Sequence, residues 1–361
     1  MSTVTLHCAR HGDLFHFADD AVIGGSLARY GEWAEQELWL MHQLLSPGDT
    51  VVDVGANVGC HTLGFSRFVG AGGRVIAVEA QPAMFRLLSA NVTLNAVTQA
   101  HCVFALADAA RGATALPLNL SAPEHNYGAV SFADGQHRHR TGAALPVAVM
   151  ALDDLALDHC ALVKIDVEGM ELEVLQGAQR LLLECAPHLY FEQASDRHRG
   201  EIFALLRGLG YRLYWHVANP FNRGNFNGAR DNMFGGACET NVLAVPAGSR
   251  HTVDARAFGL IEVSDAAVPA APAPPPDARR GWQLPSDAYA RLPRAPGMSA
   301  WTARVNDETA RLRHELAQLR LAFDDLLEDR RKAQEIMDLQ HHQLGQLHGR
   351  ERAASVLPAD R

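Results

Sequence analysis

Residues 51–65, VVDVGANVGCHTLGF, constrain this chain more than any other stretch. Apolar residues stand on both sides of Asp53, which marks a strand buried on both faces and not an alternating edge strand. Gly55 and Gly59 then make a short loop, and helical spacing follows over 59–70. Strand, glycine loop and helix in that order open a parallel sheet covered by helices. The alternation continues. Strands are predicted over 50–54, 74–79, 101–106, 161–166, 188–192 and 211–216, with a last apolar run at 241–245. Helices are predicted over 31–45, 82–95 with Pro82 in the first turn, 169–184 and 198–208. The predicted class is α/β, Rossmann-like and mostly parallel. Residues 1–48 read as a helical lead-in, 49–250 as the α/β domain, and 113–151 as a less regular insert.

Composition changes after about residue 262. Residues 263–299 are rich in proline, including AAVPAAPAPPPDARR, and read as a semi-rigid linker. From Val305 to Leu347 a seam steps by four and three, broken by Arg330 and Gln340. That predicts a coiled coil over 300–348 and a homo-oligomer formed through it.

The formal net charge of −9 disfavours nucleic acid and anionic membranes as partners. The six cysteines are scattered without a CxxC pair, which suits reduced thiols. The N-terminus lacks the basic start and apolar core of a signal peptide, and no apolar run reaches membrane-spanning length. A cytoplasmic protein is expected.

The glycine loop reads D-V-G-A-N-V-G. A dinucleotide fingerprint needs G-x-G-x-x-G, and Asn57 stands where its second glycine would be. A P-loop needs G-K-[ST], and Cys60 and His61 stand there instead. What remains is a turn over Asp53, Gly55, Ala56, Asn57 and Gly59 whose amides are expected to face a ligand at a helix N-terminus. Glu79 ends the second strand, 24 residues after Gly55, where an acid accepts ribose hydroxyls. A ribose acceptor with a carboxylate-binding loop and no pyrophosphate motif describes a site for S-adenosylmethionine. Asp108, after the third strand, is a candidate for the adenine or a plain turn aspartate.

With those blocks in view, VVDVGANVGCHTLGFSRFVG, VIAVEAQPAMFRLLSANVTLN, EHNYGAVS, LVKIDVEGMELEVLQGA and PHLYFEQ resemble the FkbM-type methyltransferases. The segment YGEWAEQE at 30–37 resembles what precedes the glycine loop in that family. The resemblance covers about residues 25–246. It implies a class I S-adenosylmethionine enzyme with a seven-stranded sheet, its last strand antiparallel. It also implies O-methyl transfer to a hydroxyl of a sugar, glycan or secondary metabolite.

Methyl transfer from a sulfonium is an in-line displacement, and a hydroxyl acceptor should lose a proton. Asp166, at the end of the fourth strand, is the expected base or acceptor-orienting group, with Lys164 beside it. Glu168 either contacts the acceptor or caps the following helix. The D-x-E spacing could hold a divalent ion, but no third ligand is evident and no metal is expected. In EHNYG, His125 is a second candidate base and Asn126 a candidate acceptor contact, unless both belong to a polar turn. His61 could touch a ligand carboxylate or merely pack. Glu32, Glu35 and Glu37 read as a solvated helix face or a lid. The Asn- and Phe-rich loop at 216–234 could contact sugars. A catalytically silent scaffold and a nicotinamide oxidoreductase are the competing readings. Intact Asp53, Gly55, Gly59, Glu79 and Asp166 disfavour the first, and the absent G-x-G-x-x-G disfavours the second.

Overall fold

The computed structural model describes residues 3–117, 126–128, 144–193, 195–249, 251, 253–264, 270–290 and 292, and five positions (311, 315, 318, 330 and 331) further on. A ten-stranded sheet forms the centre. Its middle six strands are all parallel: β3 (Thr50–Val54), β4 (Arg74–Glu79), β5 (Ala100–Ala107), β7 (Ala144–Met150), β8 (Leu162–Ile165) and β9 (His188–Glu192). β11 (Glu239–Val245) inserts antiparallel between β9 and β10 (Arg212–Ala218). The antiparallel last strand therefore stands as expected. The strand number does not. The insert supplies β6 (Gly112–Pro117) and β7 at one edge, and β12 (Ile261–Glu262) adds to the other, so seven becomes ten.

The strands are apolar on both faces because both faces are covered. Val52, Val54, Ile76 and Val78 point to one side, into a core shared with α5 (Glu171–Gln176), α6 (Gln179–Glu184) and α7 (Arg199–Gly208). Val51, Val75 and Leu162 point to the other, against α2 (Glu35–His42) and α3 (Cys60–Val69). α4 (Pro82–Leu94) completes that side with Leu88 and Val92. The single helix predicted over 169–184 breaks at Gly177, where a Cβ would lie 2.4 Å from the Asp108 carbonyl oxygen.

Residues 1–48 hold more than helices. A hairpin of β1 (Val4–Ala9) and β2 (Gly12–Phe17) precedes α1 (Ile23–Tyr30) and α2. The proline-rich stretch is also not a free linker where it is described. Trp282 N donates to Phe221 O and Arg223 N to Trp282 O, and Leu284 N bonds Asn222 Oδ1. The Tyr289 ring stacks on Phe68, with centroids 5.4 Å apart. These residues belong to a compact unit spanning Met1–Met298. In the second unit, Ser299–Arg361, the five described positions are helical and exposed, and Arg311 Nε donates to Glu315 Oε1 at 3.1 Å. The coiled-coil seam otherwise lies outside the described residues. No disulfide joins the six cysteines, all of them described. Among the described residues no helix is long and apolar enough to cross a membrane.

Candidate active site

β3 carries the chain to the carboxyl edge of the sheet and into the glycine turn. Gly55 (φ 74), Asn57 (φ 50) and Gly59 (φ 95) are all left-handed. Gly55 must be glycine, since a Cβ there would lie 1.8 Å from the Asp166 carbonyl oxygen. The turn uses its own amides. Gly55 N and Ala56 N donate to Val78 O, Gly59 N to Ala56 O, Asn57 N to Glu79 Oε2 and Val58 N to Asn57 Oδ1. The expectation that these amides face a ligand is therefore corrected: the turn is tight enough to bring each N–H onto a protein acceptor. The donors at this end belong to α3. Its first internal bond runs from Leu63 N to Gly59 O, which leaves the amides of residues 60–62 outside the helical ladder.

A cavity of about 260 Å³ opens at this edge. Gly55, Ala56, Asn57, Glu79, Asn126, Lys164, Asp166 and Glu168 all line it, as does His61. Asp53 and Gly59 do not. Asp53 is fully buried beneath the turn, where it accepts from the Thr62 hydroxyl at 2.6 Å. Gly59 is the N-cap residue of α3. Asp108 does not line the cavity either: its Oδ1 accepts from Ala110 N, as in a plain turn. His125 lies outside the described residues.

Glu79 ends β4 with its carboxylate in the wall. Besides Asn57 N it accepts from Gln81 N at 2.7 Å. Burial pushes its acid up to about 7, against the pull of those two amides. Lys164 sits opposite Asp53 in the β3–β8 register. Its ammonium lies 3.4 Å from Asp53 Oδ1 and 3.3 Å from Asp166 Oδ2, and donates to Gly55 O at 3.1 Å. Burial works against that charge, but Asp166 and Asp53 outweigh it and raise its pKa. Lys164 therefore ties the ends of β3 and β8 together as well as steering Asp166.

Much of the remaining lining is acidic. Glu37, Asp166, Glu168, Glu192 and Glu239 line it, and Lys164 is the one Lys or Arg among the described lining residues. One carboxylate oxygen from each of Asp166, Glu168 and Glu192 lies within 4.8 Å of the others. Oxygen donors of this kind suit a hard divalent cation, and Glu192 is the third carboxylate, which the sequence did not single out. Glu168 does not cap α5; Glu171 Oε1 accepts from Gly169 N instead. Burial, then the neighbouring acids, push Glu239 up to about 7, Glu168 to about 8 and Glu192 to about 10. His61 is pushed down by burial and then by Lys164, so its ring is neutral.

These raised acids fix a pH dependence. In the unfolded chain each titrates near 4.5, so the folded state holds extra protons above that pH. Their favourable contribution is complete below about pH 4.5 and is lost as pH rises through the folded values. Between about pH 7 and 7.5, above the ordinary histidine value and below the ordinary thiol value, the melting temperature is expected to fall. Glu192→Gln is expected to flatten that fall. A melting curve series in which both proteins share one slope would show that Glu192 does not hold its proton.

Two further expectations are revised. Glu32, Glu35 and Glu37 are buried, not solvated. Arg10 Nε donates to Glu32 Oε2 at 2.7 Å, His11 Nε2 contacts Glu35 Oε1 at 3.0 Å, and Asn241 Nδ2 donates to Glu37 Oε1 at 3.1 Å. The amides of the 216–234 loop serve the fold: Asn222 Nδ2 donates to Glu32 Oε1, Asn219 Nδ2 to Ala278 O and Asn225 Nδ2 to Ala229 O. Sequence reasoning also passed over Trp33, Gln81, Glu192, Glu239 and Asn241, all in the cavity wall. Only Glu192 carried a signal, as the acid ending strand HLYFE.

No curated protein matches the chain. Among solved structures it is similar to a methyltransferase FkbM from Methylobacillus flagellatus KT, at 16% identity and TM-score 0.37, over 56% of this chain and 47% of that one. It thus spans about half of that protein's length. It is also similar to the O-methyltransferase TomG from Streptomyces achromogenes, solved in complex with SAM, at 10% identity and TM-score 0.35, over 59% of this chain and 79% of that one. Residues 53–213, which run from the buried aspartate of β3 into β10 and hold Glu79, Lys164, Asp166 and Glu192, match the family model of the methyltransferase FkbM domain.

Proposed function

We propose that this protein transfers a methyl group from S-adenosylmethionine to a hydroxyl of a sugar, glycan or secondary metabolite. The observation that carries the reading is the Glu79 carboxylate, held by two backbone amides in the wall of a cavity beside the glycine turn. A carboxylate so fixed is a ribose-diol acceptor, and no pyrophosphate motif accompanies it. The residues fit such a ligand. The amides of α3 beyond the turn can receive its carboxylate, and the small side chains of Ala105 and Ala107 offer a flat wall to its base. When bound, the sulfonium supplies an electrophilic methyl carbon.

The chain's own part is positioning and proton removal. Asp166 is the general base: its side chain is partly exposed, borders the cavity, and is anchored by Lys164. With the methyl donor bound, Asp166 would take the proton of the acceptor hydroxyl as that oxygen is methylated. Asn126 and Glu168 border the same space and orient the acceptor.

Calorimetric titration with S-adenosylhomocysteine and with NAD, on wild type and Glu79→Ala, tests the reading. The first ligand alone is expected to bind, and the substitution to weaken it by about tenfold to a hundredfold, the worth of charge-assisted hydrogen bonds. Binding of NAD, or of neither ligand, would overturn it.

A further inference from the structure

Gln81 has a side chain that the fold half uses. It is 5% exposed and lines the cavity two residues beyond Glu79. Its Nε2 donates to the Tyr127 carbonyl at 3.2 Å. That bond fixes the amide's orientation, because a carbonyl can only accept. The other end, Oε1, is therefore an acceptor, and it is buried with no donor. Gln81 also stands at the N-cap of α4, yet its side chain makes no capping bond. A buried amide oxygen with no donor is a penalty that the folded chain carries, and a ligand N–H would relieve it.

The surroundings say which N–H. On this side of the cavity lie Ala105, Leu106 and Ala107 from the carboxyl end of β5, a small-residue wall suited to a planar ring. Asp108, the sequence's candidate for the base, lies outside the wall. Asn126 Oδ1 already accepts from Gly128 N at 3.1 Å. With Glu79 at the ribose, a nucleoside's base extends along β5 past Gln81.

We propose that Gln81 is the base-reading residue of this site: its Oε1 accepts from the exocyclic amine of a 6-aminopurine. The inference rests on the nucleoside reading above and adds the residue that selects the base. A 6-oxopurine presents an acceptor at that position, which leaves Gln81 Oε1 unpaired and facing a second oxygen.

The full chain is titrated calorimetrically with S-adenosylhomocysteine and with its deaminated counterpart, S-inosylhomocysteine. Wild type is expected to prefer the first by at least about tenfold. Gln81→Met keeps the length and removes the acceptor; it is expected to lose the preference by weakening only the adenosyl ligand. Gln81→Glu loses the bond to Tyr127 but keeps an acceptor, and is expected to retain the preference, which a purely structural role would not produce. Equal binding of the two ligands by wild type, or an undiminished preference in Gln81→Met, would overturn the role of Gln81 and leave the nucleoside reading standing. Binding of neither ligand by wild type would overturn both.

Discussion

Gly55→Ala is expected to destabilise the protein by more than about 3 kcal/mol, at the severe end of single substitutions. The reason is backbone against backbone. A Cβ at Gly55 would lie 1.8 Å from the carbonyl oxygen of Asp166, an atom that no side-chain rotation can move. Relief requires β3 and β8 to part at their carboxyl ends. That parting would break the bond from Asp166 N to Val54 O, and the Lys164 contacts to Gly55 and Asp53 with it. The left-handed φ of 74 adds about 1–2 kcal/mol for any residue with a Cβ. Gly248→Ala separates the two effects. Its φ is 79, and a Cβ there meets nothing within 4 Å. Urea unfolding should place Gly248→Ala near the conformational cost alone. Equal losses for the two variants would mean that the close approach of the strands is not what Gly55 provides.

Lys164→Met is the second large effect, at about 3–5 kcal/mol. The Lys164 side chain is 4% exposed, and its ammonium stands between two carboxylates. Without it Asp53 keeps only the Thr62 hydroxyl, and a fully buried charge is left without a counter-charge. Removing the charge as well should recover much of the loss, so Asp53→Asn with Lys164→Met should cost less than the sum of the two single changes. Additive losses in denaturant unfolding would place the two groups in independent roles. Methyl transfer should fall further than stability in Lys164→Met, because Asp166 loses its anchor.

The parts legible in the sequence were those decided by local pattern. β4 and β9 run over the predicted residues, and α4 is one residue shorter than predicted. Each is a dense apolar run bounded by turn residues, so periodicity alone defines it. Glu79 was legible for the same reason, as the acid at a strand end at a set distance from the glycine loop. The misreadings share another cause. Glu32 and Glu35 look like a solvated face until Arg10 and His11 reach them from the hairpin, more than 20 residues earlier in the chain. The amides of the glycine turn look free until Val78 and Glu79 accept from them across the sheet. Glu192 joins Asp166 and Glu168 only because β9 lies beside β8. In each case the partner that settles a group's role is set by topology.

The seating of Tyr289 bears on where the chain can be cut. Composition suggests that the folded domain ends near residue 262, with a linker after it. Yet the Tyr289 ring meets His11 and Trp39 edge-on, and Leu284 is buried with its N–H on Asn222. A shortened version ending at the first prolines would expose Phe68 and the buried Arg10–Glu35 group to water, and its solubility would report the missing lid and not the enzyme. Recombinant fragments, fusion junctions and protease sites belong beyond residue 292.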